Sequence, residues 1–430
     1  MKKNYRYLFY GIDEPIELKD GTNVIPINFD NGATTPPMKC TLKAIKNSAI
    51  LYGPIARGAG YKGDYCTKKY EEAREDILDF FNLKNNPNYT VIYTKTTTEG
   101  LNILANVLIK NKSDKVLTTR MEHHANDLPW RYTSDVEYVD VDKLGRINLC
   151  DIENSLIKNK GLIKYISITG ASNVTGYIND IHQIAKLAHK YNAKIIVDAA
   201  QLVAHKEIDM NGNSKGEQIE FLVFSSHKAY SPFGCGAIVG LKEDLSNTNP
   251  FLKGGGCVDT VFDNNVIWNT PPSLLEAGSP NFLGIMAMVA TLNKLKTIGF
   301  DNIFNHEKNI KDYLITEMKK IPNVILYGDV ENTEDRLGVI TFNLKNMPYY
   351  EVSEKLADIG AISSRYAKFC AHPYVNRLLG INDELAYLEY IKCIENNVEN
   401  PYGMVRISLG LYNTMEEAQK FIYVLKELST

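Results

Sequence analysis

The sequence predicts an α/β chain with a large doubly wound, mostly parallel sheet, followed by a smaller α+β domain. Three observations carry that expectation. Up to about Gly240, short apolar strands alternate with helices of 3.6-residue periodicity, the pattern of strand-helix-strand units. Two of those strands close on groups able to do chemistry: residues 194–201 end in Val197-Asp198-Ala199-Ala200-Gln201, and residues 219–224 run into Ser225-Ser226-His227-Lys228. Past Glu276 the alternation gives way to two long helical stretches and a strand, which places a domain change near residue 285.

Along the chain, residues 90–94 read as a strand, Thr96-Thr97-Thr98 as a turn and 99–106 as the first turns of a helix. Free amides and hydroxyls at such a helix N-terminus suit an anion. Residues 181–190 have the spacing of an amphipathic helix, and 194–201 follow as a short apolar strand. Residues 282–297 and 301–321 read as helices and 338–343 as a strand, while the polar stretches 82–88 and 211–216 are loops. The expected organisation is an N-terminal arm over 1–28 packing with the small domain, a large domain over 29–285 and a small domain over 286–430. No internal repeat interrupts it.

Composition bounds the function. The 430 residues carry 48 Lys and Arg against 51 Asp and Glu, a formal net charge of -3, so no electrostatic drive toward nucleic acid is expected. No apolar stretch approaches the roughly 18 residues of a membrane span, and the first residues lead into no signal-like core, so a cytoplasmic protein is expected. Seven cysteines lie scattered without a CxxC pair, which argues against a zinc site and against a disulfide framework.

Lys228 is the most informative residue. A lysine where a buried strand opens into a Ser/Gly/Pro loop loses its proton cheaply, as bonding to an aldehyde cofactor requires. Asp198, ending a strand of the same sheet, belongs to the same carboxyl edge, where α/β folds bind ligands. A buried carboxylate beside a pyridine nitrogen raises that nitrogen's pKa by roughly 1 to 3 units and keeps it an electron sink. Together with the anion site at Thr97-Thr98, these groups suit pyridoxal 5'-phosphate.

Seven motifs then carry a family resemblance: the Thr-Thr-Glu turn at 97–99, Glu122-His123-His124, Ser172-Asn173-Val174-Thr175-Gly176, Val197 to Gln201, Ser225 to Lys228, Glu276-Ala277-Gly278-Ser279-Pro280-Asn281, and Arg406-Ile407-Ser408 with Tyr412-Asn413-Thr414. In this order and spacing the chain resembles the class V aminotransferase family, from about Asn28 to the C-terminus, and within it cysteine desulfurases and selenocysteine lyases. The resemblance implies the fold type I of pyridoxal-phosphate-dependent transferases. It assigns Lys228 as the covalent anchor and proton carrier, Asp198 to the ring nitrogen, Gln201 to the phenolic oxygen and His123 to stacking and proton shuttling. Thr97, Thr98, Ser225 and His227 are implied for the phosphate. Ser279, where the family usually has Thr, is implied to reach the partner subunit's phosphate in a homodimer with composite active sites. Arg406, Asn173 and the backbone at Ala33 are implied to hold an amino acid's carboxylate.

Cys370 and Arg365 fit the segment that carries the nucleophile in sulfur-mobilising relatives, Arg-x-Gly-His-His-Cys-Ala-x-Pro. Here Lys368 and Phe369 replace the two histidines. A thiol of pKa near 8.5 needs cationic help to act as a nucleophile, for which Arg365 and Lys368 are the candidates. The implied reaction removes sulfur from L-cysteine, or selenium from L-selenocysteine, leaving L-alanine and a persulfide on Cys370 for a protein sulfur acceptor. Two other readings stay open: another class V enzyme (an aminotransferase, epimerase or β-lyase) and a cofactor-binding scaffold with little activity. The longer segment between Cys370 and Arg406, with Cys393, reads as a lid or as a docking surface for an acceptor.

Overall fold

The computed structural model describes residues 4–56, 59–246 and 248–430; the first three residues of the expected arm lie outside them. Seven strands form the central sheet, in the order Tyr89–Thr94, Gly236–Leu241, Phe221–Ser225, Lys194–Asp198, Ile163–Thr169, Lys115–Thr119 and Asp135–Val139. Only Gly236–Leu241 runs antiparallel to its neighbours. The expected doubly wound, mostly parallel sheet is therefore present. Phe221–Ser225 is buried at every position because both faces of the sheet are covered, so it reads as a continuous apolar run.

Strand register sets the site. Thr169 pairs with Asp198 and Asp198 with Val223, so the strands ending in Thr169, Asp198 and Ser225 deliver their last residues side by side. The following helix, Thr97–Leu108, starts two residues earlier than the sequence suggests, since the Thr96 hydroxyl caps it by accepting from the Glu99 amide. Gly100 lets this helix lie close on the sheet: a Cβ there would stand 2.4 Å from Val223 Cγ1 and 3.1 Å from Ile238 Cγ1.

A second, four-stranded antiparallel sheet is ordered Val324–Leu326, Val339–Leu344, Met404–Ser408 and Arg365–Ala367. Helices Phe300–Met318, Tyr349–Gly360 and Met415–Ser429 bury Leu314, Val352 and Phe421 beside it. The helix Phe282–Ile298 crosses residue 285 and contributes Phe282, Ile285, Met288 and Leu292 to the core of the larger unit. N-terminal residues touch both units. Tyr5 and Phe9 enter the larger core, whereas Ile27 pairs with Ile362 and packs in the smaller one. Among the described residues no helix is long and apolar enough to cross a membrane.

Gly100→Ala measures how much the close helix-sheet approach matters. Alanine gains about 1 kcal/mol of helix propensity but forces a methyl into packed core, typically costing about 1 to 3 kcal/mol, and at this separation the clash wins. The urea midpoint should fall; an unchanged or higher midpoint would show that the sheet yields.

Candidate active site

One cavity of about 490 Å³ opens at the carboxyl edge of the central sheet, roofed by the Arg365–Ala367 strand and the turn after it. It gathers Ala33, Thr97, Thr98, His123, Asn173, Asp198, Gln201, Ser225, His227, Lys228, Arg365, Cys370 and Arg406. Ser279 is not among them. It is exposed in a separate cavity, beside Glu276, Asn281 and Tyr93.

At one end of the cavity lies the N-terminus of Thr97–Leu108. The Thr97 amide donates to Ser225 Oγ at 2.6 Å and the two hydroxyls lie 2.8 Å apart, so these residues hold each other in place. The Thr98 amide has no protein partner among the described residues and is left, with the positive end of the helix dipole, for an anion.

Lys228 closes a single helical turn, Ser226–Lys228. That turn is pinned on both sides: the Ser226 hydroxyl donates to Ser231 O and Cys235 O, and His227 O accepts from the Thr35 amide and hydroxyl. Burial pushes the Lys228 amine down to about 8, assisted by Arg406 and Arg365 and opposed by Asp198 and Cys370. The same burial raises the Asp198 carboxyl, opposed by the Ala200 amide at 2.9 Å and by Lys228. His123 accepts from the Ala125 amide through Nδ1, which leaves Nε2 to carry the proton of a neutral ring. Burial, with Lys228 next, pushes His123 down to about 3, so the ring stays neutral at physiological pH. Gln201 donates to Gly32 O at 2.7 Å, which orients its amide beside Asp198.

Two arginines face each other across the small sheet, Arg365 opposite Arg406. Their repulsion is relieved by Asp30, a residue the sequence reading passed over. Arg365 binds it with Nε at 2.9 Å and Nη2 at 2.7 Å, and Arg406 with Nη2 at 3.0 Å. Arg406 also donates to Asn173 O at 3.0 Å, and its buried Nε has no partner among the described residues. Two guanidinium groups against one carboxylate leave a positive charge in the cavity, suited to a substrate carboxylate. An aspartate directly after Ile27-Asn28-Phe29 was its only signal in the sequence.

Cys370 occupies an exposed, conformationally unusual turn: Ala367, Phe369 and Cys370 have φ of 88°, 52° and 54°, the left-handed region that non-glycine residues rarely adopt. The turn is held by donors from the larger unit. His124 N donates to Cys370 O at 2.7 Å, and the Asn173 amide, expected at a carboxylate, donates to Phe369 O at 2.8 Å. His372 N donates to His124 Nε2 at 3.3 Å, with the two rings 4.6 Å apart. Beyond its place in the motif, nothing in the sequence gave His124 this supporting part. Cys370 shares the cavity with Lys228, Arg365 and Arg406, and with Lys368, the other expected helper.

Residues 27–421 match the family model described as aminotransferase class-V. The chain is 31% identical over 422 residues to a cysteine desulfurase of Wigglesworthia glossinidia brevipalpis, covering 95% of this chain and 94% of that one. It is 31% identical over 411 residues to a probable cysteine desulfurase of Pyrococcus abyssi, covering 94% of each. Among solved structures, the apo cysteine desulfurase from Thermococcus onnurineus NA1 is similar, with a TM-score of 0.82 and 29% identity over 94% of both chains. With its fold, its strand-edge cavity and these relatives in agreement, the chain belongs to the aminotransferase class-V family.

Proposed function

We propose that this protein binds pyridoxal phosphate and removes sulfur from L-cysteine, giving L-alanine and a persulfide on Cys370. The observation that carries the reading is the joint lining of one cavity by a desolvated lysine, a buried aspartate, two arginines and an exposed cysteine. The residues fit the cofactor. Lys228 and Asp198 have the chemistry its aldehyde and ring nitrogen need, the Thr97–Leu108 N-terminus with Ser225 and His227 suits its phosphate, and His123 offers a flat neutral ring. Once bound, pyridoxal phosphate supplies an electron-withdrawing ring that acidifies the α-carbon of an amino acid.

The protein's own groups do the rest. Arg406 and Arg365 hold the substrate carboxylate and turn the thiol side chain toward the roof of the cavity. Lys228, with its amine near neutrality, takes the α-proton and returns a proton to carbon. Asp198 would hold the ring nitrogen, and Gln201, oriented by Gly32, would hold the phenolic oxygen. Cys370, in the field of Arg365, Lys228 and Arg406, attacks the substrate sulfur as a thiolate. The carbon-sulfur bond breaks, a sulfur-sulfur bond forms, and the two thiol hydrogens end on the alanine methyl and the persulfide. Arg406 and Lys228 contact only groups that cysteine and selenocysteine share, so the proposal extends to selenium. Exposed Ser279 would serve the phosphate site of a second subunit in a homodimer, and the setting would be cytoplasmic.

Replacing Cys370 by Ala should abolish persulfide formation from L-cysteine and leave the bound cofactor's absorbance intact; undiminished sulfur release by the variant would overturn the proposal. For Arg406→Lys the loss of a two-pronged contact should raise KM for L-cysteine by about 10- to 100-fold, or about 1.4 to 2.7 kcal/mol, with a smaller effect for the half-exposed Arg365. An unchanged KM in Arg406→Lys would remove Arg406 from the carboxylate site. Only a neutral amine attacks an aldehyde, so uptake of pyridoxal phosphate by cofactor-free protein should accelerate with pH and reach half its maximum near about 8, the lowered value of Lys228. A midpoint at the ordinary lysine value of 10.5 would contradict the desolvated amine.

A further inference from the structure

The segment between Cys370 and Arg406 contains a helix, Asp383–Asn396, whose apolar stripe faces outward. Tyr387, Tyr390, Ile391 and Ile394 follow the i, i+3, i+4, i+7 spacing of one helical face. Tyr387 is 64% exposed, Tyr390 54% and Ile394 60%, while Cys393 on another face is buried. A helix that turns its stripe to water presents a surface of the kind that lies against another amphipathic element. Its position is also informative. The helix starts thirteen residues after Cys370, its Asp383 shares a cavity with His372, and His372 lines the active-site cavity.

Charge narrows the occupant. Residues 383–399 carry Asp383, Glu384, Glu389, Glu395 and Glu399 against Lys392 alone. Two copies of this helix would set like charges face to face. Another exposed apolar element, the hairpin of Val258–Phe262 and Asn265–Trp268, adds Asp259 and Asp263 and no base. An anionic lipid surface is repelled for the same reason. A basic partner is favoured.

We infer that this helix docks a basic amphipathic segment of the protein that accepts sulfur from Cys370. The inference rests on the desulfurase reading for its purpose, though not for its surface. In the transfer, the partner's thiolate attacks the outer sulfur of the Cys370 persulfide; the old sulfur-sulfur bond breaks, a new one forms on the partner, and Cys370 leaves as a thiolate. Cys370 returns to the thiolate level as the partner's cysteine rises to the persulfide level, so the exchange balances without an external oxidant or reductant.

The probe is a 20-residue amphipathic helical peptide with leucines on one face, lysines beside them and one cysteine, compared with its glutamate counterpart and with dithiothreitol. A cysteine-to-serine form of the basic peptide, followed by fluorescence anisotropy on the holoenzyme, should bind, and Tyr390→Glu combined with Ile394→Glu should weaken it by at least about tenfold. The same double variant should slow sulfur transfer to the basic peptide while leaving transfer to dithiothreitol within about twofold, since the altered side chains are exposed and outside the cavity. Equal binding of basic and acidic peptides, or equal affinity of the variant and the unaltered enzyme, would overturn the inference. So would a change in the enzyme's solution mass caused by the variant, which would assign the stripe to a second copy. Should no persulfide form on Cys370, the desulfurase reading fails and the anisotropy measurement still decides the surface.

Discussion

Burial of the Arg406 guanidinium is the constraint on which the rest of this structure depends. At 2% exposure it has lost its water, a penalty of several kcal/mol that only well-placed oxygens can offset. Those oxygens come from two other parts of the chain: Asp30 from the N-terminal segment and Asn173 O from the turn after Ile163–Thr169. Arg406 itself lies on the small sheet. Its contacts therefore join the two units and the N-terminal segment around one cavity. Neighbouring bonds extend the clamp, with Gly32 N donating to Ser408 Oγ and Gln201 donating to Gly32 O. A shift of any of the three parts would leave a buried charge unpaired.

The same desolvation sets the chemistry. It pushes Lys228 and His123 down and Asp198 up, each toward its neutral form. Opposite charges then resist it selectively: Lys228 and Asp198 each favour the other's charged state, while no carboxylate offsets the shift of His123. The result is a lysine lowered to about 8 beside a carboxyl that it helps to keep charged and an uncharged aromatic ring. The surplus positive charge of Arg365 and Arg406 over Asp30 completes a site suited to an amino acid carboxylate and a thiolate.

Cys370 is placed by strain. Three left-handed residues among four cost of order 1 to 3 kcal/mol each unless the surroundings fix them, and here His124 and Asn173 do so. Both donors belong to the larger unit, so the turn is held by the body that carries Lys228. Lys368 and Phe369 directly precede the cysteine, and His124 and His372 meet at the turn, each donating through its backbone amide and with their rings in contact.

Much was legible in the sequence because it depends on local pattern. Alternating strands and helices specify the sheet, since periodicity decides which faces can be buried; strands ending in Asp198 and in Ser225 to Lys228 specify a site edge, since parallel strands carry their last residues to one side. The Thr96 cap, the helix Ile181–Lys190 and the separation of Cys370 from any CxxC pair are of the same local kind. Asp30 was not legible, because an aspartate after a short strand acquires meaning only when two arginines distant in sequence are brought against it. The support of the Cys370 turn by His124 and Asn173, and the outward stripe of Asp383–Asn396, likewise depend on which surfaces meet. The sequence by itself determined the elements, their order and the chemical groups they carry; the tertiary structure alone decided which charges are buried together and which face of a helix meets water, because desolvation and Coulomb energy depend on distances between residues far apart in the chain.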